Sequence, residues 1–244
     1  MKILIPNAKE LNTNLDNLPF QPLSGESRAI LNVLQAMSVE DLAKFYQLKV
    51  DRTELEADRW LRIAQGQAKL YPAWQLYDGL MYRYMQRRDL SEKEEAYLRE
   101  TVFITTGFYG AISLFEPIAP HRLDFQGNLK IEQEGLKQFW RSQYDSVVAD
   151  DDVIVSLLSS EFEAVFSPDV QKRFVKIIFM EDRSGQLKIH STISKKGRGR
   201  MVSEMARQQV QTVEDIKKLT IDDFQYRADL SESHKLVFVR TAEL

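Results

Sequence analysis

The spacing of apolar positions changes several times along this chain, and each change marks an element. KILI, Lys2 to Ile5, is a continuous apolar run ended by Pro6; it reads as a short buried strand, with PNAKEL as the turn that leaves it. From Ser24 to Met37 the period becomes helical, with Ile30, Leu31, Leu34 and Met37 on one face. SVEDLAKFYQL opens a second helix, with Ser38 as N-cap and Asp41 at the third helical position. TELEADRWLRIAQGQ predicts a third helix starting at Thr53, where Thr53 and Glu56 have the spacing of a capping box. After Pro72, AWQLYDGLMYRYMQ is an aromatic-rich helical or turn segment, and SEKEEAYLRE is a capped helix feeding the buried strand TVFITTG.

The second half carries more strand signal. DDVIVSLLSS predicts a strand ending before the helix SEFEAVF. RFVKIIFMEDRSGQLKIHSTIS, Arg173 to Ser194, reads as a hairpin of two alternating runs joined by Asp-Arg-Ser-Gly. MVSEMARQQV is helical, and HKLVFVR is a closing strand. No Pro-, Gly- or Ser-rich linker, low-complexity segment or internal repeat divides the chain. The expectation is a single mixed α/β (α+β) domain over residues 1–244, with a mixed sheet, a C-terminal β-hairpin region and a helical subregion near residues 24–70.

Composition narrows the class. An apolar fraction of 43% and a charged fraction of 28% are those of an ordinary globular protein. No apolar run approaches the length of a membrane span, and the ILI run before Pro6 is too short for a signal-peptide core, so a cytoplasmic location with no membrane partner is expected. Cysteine is absent, which excludes disulfides, thiol catalysis and thiolate metal sites. His121, His190 and His234 are far apart and form no HxxxH or ExxH pair, so no metal or other cofactor is expected. His190 alternates along the hairpin strand as a packed residue would.

Charge then singles out one stretch. The chain holds 33 Lys and Arg against 36 Asp and Glu, yet SKKGRGRM, Ser194 to Met201, concentrates Lys195, Lys196, Arg198 and Arg200 around Gly197 and Gly199. Placed between a strand and a helix starting near Met201, these residues would make an anion site: glycines admit a phosphate to the backbone, the helix start supplies N–H groups, and arginines supply planar forks. The competing reading is a solvated basic loop. No Walker loop occurs.

Three weaker features remain. Ser38 to Ile63 has the outline of a helix-hairpin-helix, with Leu42, Phe45, Leu48 and Val50 packing on Leu55, Trp60 and Leu61 and with Lys44, Lys49, Arg52, Arg59 and Arg62 as cations. Its KVDR connection has no glycine, which favours a plain antiparallel helix pair. Thr105 to Leu123 flanks Phe108 and Tyr109 with Gly107 and Gly110, a loop that stacks on a ligand or simply packs as a buried turn. Glu161 is a weak candidate for a catalytic acid or base, set against an ordinary first-turn helix glutamate. No nucleophile elbow is present, so an enzyme is not the first expectation.

The order of these segments resembles the YaaA family of bacterial peroxide-stress proteins over most of the chain. PNAKE retains Ala8 and Lys9 of the family's SPAKT. TTGFYGAISLFEPIAPHRLDF is similar to LSGLYGxLRPLDxxxPYRLEM at Gly107, Tyr109, Gly110, Pro120, Arg122 and Leu123, with Ser113 in place of Arg and His121 in place of Tyr. LKQFW keeps Phe139 and Trp140 of LYxFW, and SLLSSEF keeps Ser159 and Glu161 of NLASxEY. KKGRGRM matches KKARGxM at Lys195, Lys196, Arg198, Gly199 and Met201. The departures mark a divergent branch.

The resemblance implies a cytoplasmic protein of the hydrogen peroxide response that limits free iron and binds DNA through a cationic cleft and a helix-hairpin-helix. DNA or another anion would then meet Lys9, Arg122, Lys195, Lys196, Arg198, Gly199 and Arg200, and DNA would be selected by structure more than by sequence. Nothing in the composition shows iron chemistry, so any effect on iron would be indirect or through DNA. The alternative is an enzyme acting on a phosphorylated or carboxylated small molecule in the same cleft, with Glu161 as its acid or base. The sequence does not determine an oligomeric state.

Overall fold

In the computed structural model, which describes residues 1–241, strand β1 (Lys2–Pro6) is followed by helices α1 (Gly25–Gln35), α2 (Val39–Tyr46) and α3 (Val50–Ala64). Strand β2 (Tyr71–Pro72) and the single-turn helices α4 (Ala73–Leu76) and α5 (Leu80–Arg83) lead to α6 (Glu92–Thr101), β3 (Val102–Thr106) and β4 (Gly110–Ser113). Short strands β5 (Pro117–Ile118), β6 (Lys130–Ile131) and β7 (Glu134–Gly135) precede α7 (Leu136–Val147). Next come β8 (Ile154–Ser156), α8 (Ser160–Glu163), α9 (Pro168–Lys172), β9 (Phe174–Arg183), β10 (Gln186–Lys188) and α10 (Ser191–Arg207). Helix α11 (Val213–Lys217) and strands β11 (Thr220–Ile221), β12 (Phe224–Tyr226) and β13 (Lys235–Thr241) complete the described chain.

Nine strands form one mixed sheet in the order β11-β12-β13-β9-β8-β1-β3-β4, with β10 paired to β9. Its centre, β13-β9-β8-β1-β3, is parallel, and antiparallel strands flank it. Parallel centres need cover on both faces, and the sequence supplies apolar residues for both. In β1, Ile3 and Ile5 enter one core and Leu4 enters the other, all fully buried. Helices α4, α5, α6, α10 and α11 cover the first face; α1, α3, α7, α8 and α9 cover the second. The mixed α/β class expected from the pattern is the class observed.

Two features of the sheet position the site. Strand β1 has β3 on one side and β8 on the other, so the connections reverse direction there and open a crevice beyond the carboxyl ends of the strands. The ladder between β8 and β9 also stops early, at Ser156 opposite Lys176, while β10 joins β9 only at Glu181–Arg183. Between these points β9 has no strand beside it on that edge, which leaves a notch in the sheet.

Caps at Ser24, Ser38 and Ser91 form with the expected bonds, and Ser91 with Glu94 makes a full capping box. Several boundaries differ from the sequence pattern. Helix α3 starts at Val50, not Thr53; Thr53 Oγ1 instead donates to the Lys49 carbonyl and Glu56 pairs with Arg59, so no capping box forms there. Val50, Leu55 and Leu61 are about half exposed rather than packed between α2 and α3. The hairpin's second strand ends at Lys188 because helix α10 begins at Ser191, ten residues before the expected start near Met201. His190 consequently sits at the N-cap of α10, not on a strand.

Candidate functional site

SKKGRGRM therefore lies inside a 17-residue helix, and this changes what its glycines do. A Cβ on Gly197 would fall 2.6 Å from the Phe179 ring of β9, and one on Gly199 would fall 2.1 Å from the Met81 carbonyl oxygen of α5. These glycines let α10 lie against the sheet and α5, so they do not form the loop that would cradle a phosphate. The expected strand-to-helix loop is corrected accordingly: Gly199 lies within a helix, and its missing side chain serves helix packing.

Helical spacing also divides the four cations. Residues three or four apart share a face, which groups Lys195 with Arg198 and Lys196 with Arg200. Lys196 Nζ and the Arg200 guanidinium lie over the Tyr84 ring at 4.9 and 5.3 Å, and Arg200 Nε is 3.5 Å from Asp222. That pair belongs to the α5 side of the helix. Arg198 turns the other way and is partly buried; its Nε is enclosed and has no hydrogen-bond partner among the described residues. Burial disfavours the charge of Arg198, and the nearby Glu163 carboxylate partly offsets this.

Glu163 organises the ground beside the notch. Its side chain, from the end of α8, accepts from Ser156 Oγ at 2.7 Å and from Lys176 Nζ at 2.6 Å. Ser156 ends β8 and Lys176 stands opposite it on β9, so the short strand brings all three together. One buried carboxylate thus stands against Lys176 and Arg198, and the local balance is cationic. Neither Lys176 nor Glu163 has a distinctive sequence setting; only the β8–β9 register would have found them.

Along the same carboxyl edge, Lys9 follows β1 and bonds Asp124 at 2.9 Å and Gln126 Oε1 at 2.8 Å. Glu161, in the first turn of α8, accepts from the Phe125 backbone N–H at 3.1 Å, tying α8 to the segment that carries Asp124 and Gln126. This matches the first-turn reading of Glu161. The Arg122 guanidinium lies 5.9 Å from the centre of the Tyr46 ring. Lys9, Phe45, Tyr46, Gln47, Arg122, Asp124, Gln126 and Gly127 line a cavity of about 250 Å³ here.

The C-terminal end of α2, which packs on α3, forms one wall of this cavity. Gln47 caps α2 in the left-handed region, at φ 52°, a turn that glycine would make more easily. Of the helix pair's five cations, Lys44, Arg59 and Arg62 pair with Asp41, Glu56 and Asp58 of their own helices. Lys49 and Arg52 stand at the N-terminal end of α3.

The glycine–aromatic loop is the β3–β4 turn, and its rings point inward. Phe108 is fully buried, Tyr109 Oη accepts from the Ala119 N–H at 3.0 Å, and the Gly107 carbonyl accepts from Trp140 Nε1 at 2.9 Å. Gly110 has φ +75° and packs against Trp140, so a side chain is excluded on both counts. His121 lies behind this turn among Trp60, Tyr77, Phe108 and Tyr109. Its Nδ1 is 2.8 Å from the Ala119 carbonyl, and burial lowers its pKa to about 4, which keeps the ring neutral. Among the described residues no helix is long and apolar enough to cross a membrane, and no group of three or more His, Asp or Glu side chains could hold a metal ion.

Comparison with known proteins gives this arrangement its place. UPF0246 proteins from Streptococcus pneumoniae and Streptococcus sanguinis are 47% and 45% identical to the chain over 240 residues, which is 98% of this chain and 99% of each relative. One from Streptococcus thermophilus is 46% identical over 241 residues, 98% of both chains. The family model described as peroxide stress protein YaaA matches residues 1–230, and the chain belongs to that family.

Proposed function

We propose that this chain is a cytoplasmic peroxide-stress protein that holds DNA phosphates along the carboxyl edge of its sheet, at Lys195, Arg198, Lys176 and Lys9. The observation that carries the reading is the buried, unpartnered Nε of Arg198 beside a single carboxylate. A buried charge without full compensation is costly to the folded protein, and an arriving phosphate relieves that cost. The net charge of −3 leaves little long-range attraction for DNA, so binding depends on this local concentration of cations. The α2–α3 pair contributes Lys49 and Arg52 in the manner of a helix-hairpin-helix. Contacts of this kind read backbone shape more than base sequence. A role in limiting iron would follow from shielding DNA rather than from storing metal.

A second reading is favoured by the Ser156–Glu163–Lys176 constellation: an enzyme on a phosphorylated or carboxylated small molecule, with Glu163 rather than Glu161 placed beside the cations.

The test is duplex-DNA binding by fluorescence anisotropy over a salt series. On the DNA reading, log affinity falls linearly with log salt, and the double variant Lys195→Ala, Arg198→Met reduces the slope by about 1 to 2, at about 0.9 for each phosphate no longer neutralised. Lys196→Ala, Arg200→Ala on the other helix face leaves the slope unchanged. Arg198→Met alone raises the melting temperature of the free protein while weakening DNA binding, because it removes an uncompensated buried charge. Absence of DNA binding at low salt rejects the reading and directs the search to phosphorylated metabolites.

A further inference from the structure

The cavity beside Lys9 has a chemistry different from that of the Arg198 cluster. Its volume of about 250 Å³ is below the roughly 300–1,000 Å³ of pockets for drug-sized ligands, so it admits one small ring system and not a dinucleotide. Phe45 and Tyr46 supply aromatic surface at its wall, 5.0 Å apart and edge-to-face. Tyr46 is held rigidly: its Oη accepts from Trp60 Nε1 at 2.9 Å. Gly127 leaves room for Phe45, since a Cβ there would fall 2.2 Å from the ring. Gln47 and Gln126 are exposed at the rim and carry amides with both donors and acceptors; Asp124 adds an acceptor and Arg122 a flat cation.

Aromatic surface, amides of both polarities and a planar guanidinium together suit a planar heteroaromatic ring with hydrogen-bonding edges. Lys9 stands at the same cavity, and Asp124 and Phe125 link it to α8, whose far end carries Glu163 beside Lys176 and Arg198. We infer that this cavity receives a single nucleobase swung out of a DNA duplex whose phosphates lie against Lys9, Lys176 and Arg198. The inference rests on the DNA reading above and adds to it a reason for structural selectivity. Extruding a base requires unstacking and unpairing it, which is easiest at a mismatch or damaged position. The protein therefore binds DNA containing such a position more tightly than a fully paired duplex.

Two measurements on one set of complexes test this: anisotropy for binding, and emission of 2-aminopurine placed at the mismatched position. The expected result is a preference of about tenfold or more for the mismatched duplex, with a clear change in 2-aminopurine emission on binding. Gln126→Trp places an indole from an exposed position over the cavity; it should bring the preference ratio close to one and remove the emission change. Since the readout is a ratio, any general loss of affinity cancels. If both duplexes bind equally with 2-aminopurine emission unchanged, the phosphates are held but no base is extruded, and the inference falls while the DNA reading stands. A preference that survives Gln126→Trp also overturns it, by sending the base elsewhere. If neither duplex binds, the DNA reading and the inference that rests on it fail together.

Discussion

His121 shows how burial sets the charge of a single residue here. The aromatic shell of Trp60, Phe108 and Tyr109 keeps its ring neutral down to about pH 4, against an ordinary value of 6.5. Between pH 6.5 and 4 the unfolded chain binds a proton at this position that the folded chain refuses, so stability falls as pH falls through this window. A shift of this size corresponds to about 3 kcal/mol, lost by about pH 4. Urea unfolding midpoints measured across the window should show that decline in the wild type and a flatter one in His121→Phe. Equal slopes would mean that the ring is not held neutral by its surroundings. Arg198 is the opposite case: burial works against a cation that stays charged, and the surrounding charge, not its own titration, decides what it does.

Among the elements, α10 carries the clearest constraint. Alanine is the better helix former by about 1 kcal/mol, so two glycines inside a helix need a packing reason. Gly199 has one, because its Cβ would overlap the Met81 carbonyl, a backbone atom that cannot swing aside. Gly199→Ala should therefore destabilise by about 2 kcal/mol or more even after the propensity gain. Gly25→Ala, at the start of α1 with nothing within 4 Å, should be neutral or slightly stabilising. Thermal melts of the two variants decide it, and a stable Gly199→Ala protein would show that α10 can move away from α5. On the DNA reading proposed above, displacing α10 would also carry Arg198 from Glu163 and weaken binding alongside stability.

For the whole molecule, one sheet is shared by two cores. Trp74 reports the face under α4, α6 and α10, while Trp60 and Trp140 report the face under α1 and α7. The central strands feed both faces by alternation, as Ile3, Leu4 and Ile5 show, so neither core can form while the other is absent. Denaturant unfolding followed through a Trp74-only variant and through a Trp60, Trp140 variant should give coincident midpoints. Separated transitions would mean that the helical region packs and melts independently of the sheet.

Much of the fold is legible in the chain. Strand β1, helices α1 and α6, and the closing strand announce themselves through apolar period and serine caps, both local signals that depend on few neighbours. Strands β4, β11 and β12 carry no such signal, because their residues are selected by packing partners distant in sequence. The first half of α10 departs from the local pattern: a basic run with two glycines has the character of a loop, and only packing on Phe179 and Met81 makes it helix.

The site divides in the same way. Residue identity and short-range order are enough to set the mixed α/β class, the family resemblance and the cations on offer. The parting of Lys195 and Arg198 from Lys196 and Arg200 needs more, since it depends on helical phase within α10. The placement of Glu163, bonded to Lys176, near Arg198 depends on where β8 stops beside β9, and the cavity at Lys9 depends on α2 closing over the segment from Arg122 to Gly127. Charge can be counted along a chain; burial and juxtaposition, which give that charge its use, come from three-dimensional packing.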